Sequence, residues 1–156
     1  MKKYKCVFLI ITVYILDLIS KLIVTSNLKI NGSVTIIKNF FKITYIKNKG
    51  AAFGMFQGKT ILLIAITLLI FIFLIKEIVK RGNSKLIDFS LSLIIGGLLS
   101  NLSDRVFLGY VRDFLDFRIF SYEFAIFNLG DIAIVTGSIL FFIGALLEER
   151  HAVNSR

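Results

Sequence analysis

From Thr60 to Lys76 the chain reads TILLIAITLLIFIFLIK, apolar on every side of a helix and uncharged until its last residue. A backbone in hydrocarbon must satisfy its polar groups within its own segment, so a run of this kind is a helix or nothing. About 20 helical residues cross a hydrocarbon core about 30 Å thick. Three further runs, about residues 6–25, 86–103 and 126–147, join the one at about 60–76 to make four candidate spans. Of the 156 residues, 56% are hydrophobic, more than the interior of a soluble domain of that length can house. Residues 1–156 are therefore read as a single integral membrane domain, mainly α-helical.

The N-terminal MKKYK and the apolar run behind it imitate a secretory signal peptide. That run is long, however, carries Asp17 and Lys21, and lacks a small-x-small cleavage site before the next polar stretch. It is read as a retained first helix that also directs insertion. The net charge of +9 would suit nucleic acid, but in membrane proteins Lys and Arg gather at helix ends beside anionic headgroups, so no nucleic-acid partner is expected. Cys6 is the only cysteine and His151, in the polar C-terminal tail, the only histidine, which leaves no Cys/His metal cluster to assemble. Neither a metal nor a cofactor is expected.

Two segments break the apolar pattern. The first, about 27–59, contains TIIKNFFKITYIKNKGAAFGMF, whose patchy alternation of β-branched, aromatic and lysine residues suits short strands. The second, about 108–122, has the same character in LGYVRDFLDFRIFSY. Both are too polar to span and suit amphipathic elements lying on the membrane surface. Lys and Arg count evenly on the two sides, but their density in the short connection carrying Lys76, Lys80, Arg81 and Lys85 favours a cytoplasmic position for it.

Depth along the helices is more informative. At about 1.5 Å per residue, Asp131 lies roughly 25 Å from Glu148, Asn101 roughly 24 Å from Lys85, and Lys21 roughly 24 Å from Lys5, with Asp17 about 18 Å along. The polar residues of three helices thus converge at the level where the surface segments begin. Asp17 and Lys21 are spaced i, i+4 and can pair as an internal salt bridge. Asn101, Asp104 and Arg105 share a face, and Arg105 can fork onto a carboxylate, either to hold that helix end or to hold a substrate group. In the i, i+3 pair of Asn128 and Asp131, the amide can orient the carboxylate or a bound backbone.

Asp113 lies in VRDFLDF and can meet Asp131 if the second surface segment folds onto the membrane face. Two carboxylates in a low-dielectric pocket do not both ionise easily, so one keeps a proton. Such a pair suits water activation, with the ionised partner as base and the protonated one bonded to the scissile carbonyl oxygen. A proton pathway or a structural network would use the same residue types. Asp116 is a rival for either place.

Five motifs in order then carry a resemblance: DLISK (Asp17 to Lys21), NKGAAFG (Asn48 to Gly54), GGLLSNLSDR (Gly96 to Arg105), GYVRDFLDF (Gly109 to Phe117) and FNLGD (Phe127 to Asp131). Together, over nearly the whole chain, they resemble lipoprotein signal peptidase (signal peptidase II), the bacterial intramembrane aspartic protease. The resemblance implies catalytic roles for Asp113 and Asp131, and supporting or substrate-binding roles for Asp17, Lys21, Asn48, Gly50, Asn101, Asp104, Arg105 and Asn128. Gly130 stands where the family usually has alanine and Ser100 where it usually has glycine, small-for-small changes that bear on helix packing.

The resemblance further implies four transmembrane helices with a small β-rich cradle on the outer face of the bacterial cell membrane, and both termini in the cytoplasm. Its substrates would be diacylglyceryl-modified prolipoproteins, cut just before the lipidated cysteine. Inhibition by globomycin would be expected, and nothing calls for more than a monomer. Two readings from other classes compete. A proton-coupled transporter would use Asp131 and Asp17 as relays but leaves Asn48, Gly50 and Asp113 without a reason. A non-catalytic assembly factor would bind lipidated proteins and form no product.

Overall fold

The computed structural model describes residues 3–50, 55–80, 84–120 and 122–154. Ala51 to Gly54 of the second motif lie outside these, as do Lys2 of the N-terminal MKKYK, Arg81 of the basic connection and the side chain of His151. Four helices are long and apolar enough to cross a membrane: α1 (Lys3–Asn27), α2 (Thr60–Lys80), α3 (Lys85–Leu108) and α4 (Leu129–Asn154). Between them run four strands, β1 (Ser33–Ile37), β2 (Phe41–Asn48), β3 (Val111–Ile119) and β4 (Tyr122–Glu123).

Helix α3 is the least apolar of the four and the most enclosed, with α1, α2 and α4 all packed against it. Those two properties have one cause. Its buried face carries Ser90, Ser92, Ser100, Asn101 and Asp104, which lipid would not solvate and neighbouring helices can. Ser90 and Ser92 settle their hydroxyls locally, donating to the carbonyls of Leu86 and Asp88 at 2.6 Å each. Glycines set the closeness of the helices. A Cβ at Gly97 would collide with the carbonyl oxygen of Gly130 and lie 2.9 Å from Ile134, and one at Gly96 would lie 2.7 Å from the Val13 Cβ. Helix α2 buries only Leu63 and Thr67 and turns residues such as Ile61 and Phe73 outward, as a helix bathed in lipid does.

Helix α3 stops at Gly109, whose φ of 80° is left-handed and whose N–H closes on the Arg105 carbonyl at 3.1 Å. The chain then turns straight into β3. The sheet order is β1-β2-β3-β4, antiparallel throughout. The β2–β3 ladder runs Phe41↔Phe117, Lys42↔Asp116 and Ile43↔Leu115, shifts by one residue, and resumes at Ile46↔Asp113. A bulge of this kind bends the strand and re-aims side chains. Here it falls immediately beside Asp113. A small apolar core of Val24, Tyr45, Phe114 and Leu115, with the stacked rings of Phe41, Phe117 and Phe127, seats the sheet on the end of α1.

Candidate active site

The start of α4 is built by reciprocal capping. The Asn128 side-chain oxygen accepts the backbone N–H of Asp131 at 2.9 Å, and the Asp131 carboxylate accepts the backbone N–H of Asn128 at 3.1 Å. This is a capping box with Asn and Asp in its two places, and it uses N–H groups that a helix start otherwise leaves unpaired. A carboxylate there also faces the positive end of the helix dipole. Asp17 of α1 takes a third such donor, the N–H of Gly130, at 2.9 Å. An acid near the head of a greasy helix is therefore supported by the helix itself.

Strand β3 brings the second carboxylate to the same place. Phe127 bridges to Leu115, its carbonyl accepting the N–H groups of Phe114 and Leu115 at 3.0 and 2.8 Å, which lays the approach to α4 against β3. Asn128 Nδ2 then donates to Asp113 Oδ1 at 2.6 Å, and Asn48 Nδ2 donates to Asp113 Oδ2 at 2.8 Å. Asn101 Nδ2 donates to Asp131 Oδ1 at 2.8 Å, while its Oδ1 accepts from Asn128 Nδ2 at 3.1 Å. Neither carboxylate has a cation in direct contact among the described residues. Both are held by neutral amides. Burial first, and then the charge of Asp131, raises the Asp113 carboxyl to about 6, against the pull of the Asn48 and Asn128 hydrogen bonds.

Beneath the amides lies a fully buried ionic layer. Lys21 Nζ sits 2.6 Å from Asp17 Oδ2, 2.9 Å from Asn101 Oδ1, 3.3 Å from Ser100 Oγ and 3.4 Å from Asp104 Oδ2. Ser100 Oγ donates to Asp17 Oδ2 at 2.5 Å. Asp104 in turn receives Arg112, through Nη2 at 2.6 Å, Nε at 3.2 Å and the backbone N–H at 3.0 Å, which pins the start of β3 to the end of α3. Charges this deep persist only when paired and hydrogen-bonded, as these are.

The two carboxylates open onto a cavity of about 770 Å³. Asn48, Asn101 and Arg105 add polar groups to its wall, and Phe127, Ile132 and Val135 carry an apolar side down α4. Asp113, Asp131 and the eight residues that the resemblance gives supporting roles are joined in one bonded set, with Gly50 entering through its N–H to Asn48 and its carbonyl to Arg105.

Three details differ from the sequence expectations. Arg105 donates to the carbonyls of Gly50 (3.1 Å) and Asn101 (3.4 Å), and it is Arg112 that forks onto a carboxylate, that of Asp104. The strand brings Arg112 alongside Asp104, a partnership set by the Gly109 turn. The Asn128 amide holds Asp113, and the Asp131 carboxylate is held instead by the Asn128 backbone N–H. Asp116 accepts from Thr44 at 2.7 Å and lines a separate cavity, away from Asp131. Ser100 and Arg112 have roles here that the sequence reading did not assign. An arginine adjoining a candidate acid was the available signal for the second, and Ser100 had none beyond its place next to Asn101.

A buried ionic layer inside spanning helices is costly to assemble, and here it underlies a cavity of ligand size, which defines the class as a multi-pass membrane protein with a built binding site. A family model described as signal peptidase (SPase) II matches residues 9–147. The chain belongs to that family, and is accordingly a membrane protease. It is similar to the lipoprotein signal peptidase of Clostridium novyi (strain NT), 44% identical over 146 residues that cover 92% of this chain and 99% of that protein. The lipoprotein signal peptidase of Caldanaerobacter subterraneus subsp. tengcongensis is also 44% identical, over 128 residues covering 82% and 86%. A bacterial membrane enzyme solved by the in meso method superposes with a TM-score of 0.88 at 35% identity, over 96% of this chain and 91% of its own.

Proposed function

We propose that this protease is an aspartic endopeptidase that removes signal peptides from diacylglyceryl-modified prolipoproteins, cutting before the lipidated cysteine. The observation that carries this reading is the meeting of Asp113 and Asp131 on Asn128 at the polar wall of a cavity whose other side is apolar. The name shared by the relatives, lipoprotein signal peptidase, supports the substrate class.

Two buried acids without a direct counter-ion can hold one proton between them, and the form that does is the reactive one. The ionised member takes a proton from water, and the resulting hydroxide attacks the scissile carbonyl. The protonated member donates to the carbonyl oxygen as the tetrahedral intermediate forms, and the proton gained from water then goes to the leaving amine. Asn128 and Asn101 keep the two carboxylates in register, and Lys21, one amide away, holds Asn101. Asn48 and Gly50 stand beside Asp113, where a substrate backbone would lie, and Arg105 fastens the Gly50 carbonyl. The acyl chains would lie against Ile132 and Val135 on α4.

An even number of spans puts both chain ends on one side, taken as the cytoplasm from the density of Lys and Arg in the connection between α2 and α3. The carboxylates and the sheet then lie near the outer face of the cell membrane. Residues 1–156 act as one unit, a monomer sufficing, and a globomycin-type inhibitor would compete for the cavity. The test is a gel-shift cleavage assay of the purified chain with a diacylglyceryl-modified prolipoprotein, run beside Asp113→Asn and Asp131→Asn. Cleavage by the unsubstituted chain alone is the expected result. Normal processing by either variant sinks the paired-acid mechanism, and no cleavage by a folded unsubstituted chain sinks the substrate.

A further inference from the structure

The far end of the sheet has a composition that the cleavage site does not use. Because β2 and β3 pair as Phe41↔Phe117 and Ile119 pairs with Tyr122, the turn joining β1 to β2 and the paired ends of β3 and β4 lie at the same end of the sheet. They are tied together where the Arg118 N–H donates to the Phe40 carbonyl at 2.8 Å. Around this tip Ile36, Ile37, Phe40 and Tyr122 are exposed, and Phe120 is 100% exposed. So many large apolar side chains at one tip mark a contact surface, not an ordinary wet loop.

Cations stand among these side chains, Lys38 in the turn itself. Lys38, Lys42 and Arg118 line a cavity of about 340 Å³ that also takes in Asp116 and Glu123. The three cations outnumber the two acids, so the cavity keeps a net positive charge. Asp116 is engaged by the Thr44 hydroxyl at 2.7 Å, and Glu123 stands 3.9 Å from Arg118 in an exposed pair that water screens. Large apolar side chains interleaved with Lys and Arg suit a bilayer interface, where acyl chains and phosphates lie within one side chain's reach of each other.

We infer that the double-hairpin end of the sheet is a membrane-seating tip: Phe120, Phe40 and Ile37 enter the leaflet, and Lys38, Lys42 and Arg118 take the phosphates of anionic phospholipid headgroups. The leaflet is the occupant at hand, because the sheet is packed on α1 through Val24 and Leu28 and joined to α4 through Phe127. The tip cavity shares the residues Phe124 and Ile126 with the cleavage cavity. A sheet seated at its tip therefore braces one wall of the site. The seating is independent of which residues hydrolyse the peptide.

The chain contains no tryptophan, so Phe120→Trp introduces a single fluorescent reporter. The full chain carrying it is reconstituted into vesicles of phosphatidylglycerol and phosphatidylcholine. The expected result is blue-shifted emission, with quenching by lipids brominated high on the acyl chain exceeding that by aqueous acrylamide. Adding Lys38→Gln, Lys42→Gln and Arg118→Gln together is expected to cut the bromolipid quenching by about twofold in anionic vesicles and to change it little in pure phosphatidylcholine. Emission typical of water with efficient acrylamide quenching overturns the proposal. So does shielding that grows with protein density and ignores bromolipid, which would mean that a second copy covers the tip. Equal bromolipid quenching with and without the three substitutions, at an unchanged unfolding temperature in detergent, overturns the headgroup assignment.

Discussion

Asn128 and Asp131 cap one another across the first turn of α4, each side chain bonding the other's backbone N–H, at 2.9 and 3.1 Å. The bond set that begins a helix thus also orients the acid that the proposed chemistry needs. Asn128 has no exposed surface and spends its remaining donors on Asp113 and Asn101. One side chain therefore couples helix initiation to the meeting of two carboxylates.

Asn128→Ala is expected to lose both functions at once. An N-cap asparagine replaced by alanine costs about 1 kcal/mol, and the amide donors withdrawn from buried acceptors cost about 1–3 kcal/mol more. Thermal unfolding in detergent should register the loss and cleavage should fall with it. A variant that unfolds like the parent and cleaves like it would separate Asn128 from the site.

Stability should depend on pH through Asp113. Its folded-state value of about 6 lies above the ordinary 3.8, so between those values the folded chain keeps a proton that the unfolded chain has released. The contribution is fully present below about pH 4 and is lost as pH rises through about 6, by about 3 kcal/mol in all. Unfolding measured from pH 4 to pH 7 on the parent and on Asp113→Asn should show this slope in the parent and lose it in the variant. Parallel curves would mean that Asp113 ionises normally.

Arg112→Lys preserves the charge and removes the fork. Lysine cannot reproduce the Nε and Nη2 contacts to Asp104, so β3 should be less firmly tied to α3, by about 1–3 kcal/mol. Since β3 carries Asp113, kcat should drop along with the unfolding temperature. A fully active lysine variant would show that charge alone holds the strand.

Gly97→Ala tests the contact between α3 and α4. The added methyl would collide with the Gly130 carbonyl, so the helices must separate, at about 1–3 kcal/mol. Because Gly130 lies between Asn128 and Asp131, the displacement should reach the acids. Cleavage should fall more than stability does, as read by comparing activity with the unfolding temperature at a temperature where both proteins are folded.

Much of the architecture was legible along the chain. The four apolar runs specify helices because hydrocarbon admits few other backbones, and the alternation around Ile43 specifies strands because side chains there must part between an apolar core and water. The convergence of Asp17, Lys21, Asn101 and Asp131 at one level follows from helical rise alone. The residue partners did not follow. Whether Arg105 or Arg112 meets Asp104 depends on the Gly109 turn, and the surroundings of Asp113 and Asp116 depend on a one-residue bulge in β2. Ser100 reaches Asp17 only because α1 and α3 come close enough at that level for a short hydroxyl to span the gap. Periodicity and depth are properties of one segment and can be read from it. Partner choice is a property of two segments in contact, and in this protein the turn, the bulge and the helix approach decided it.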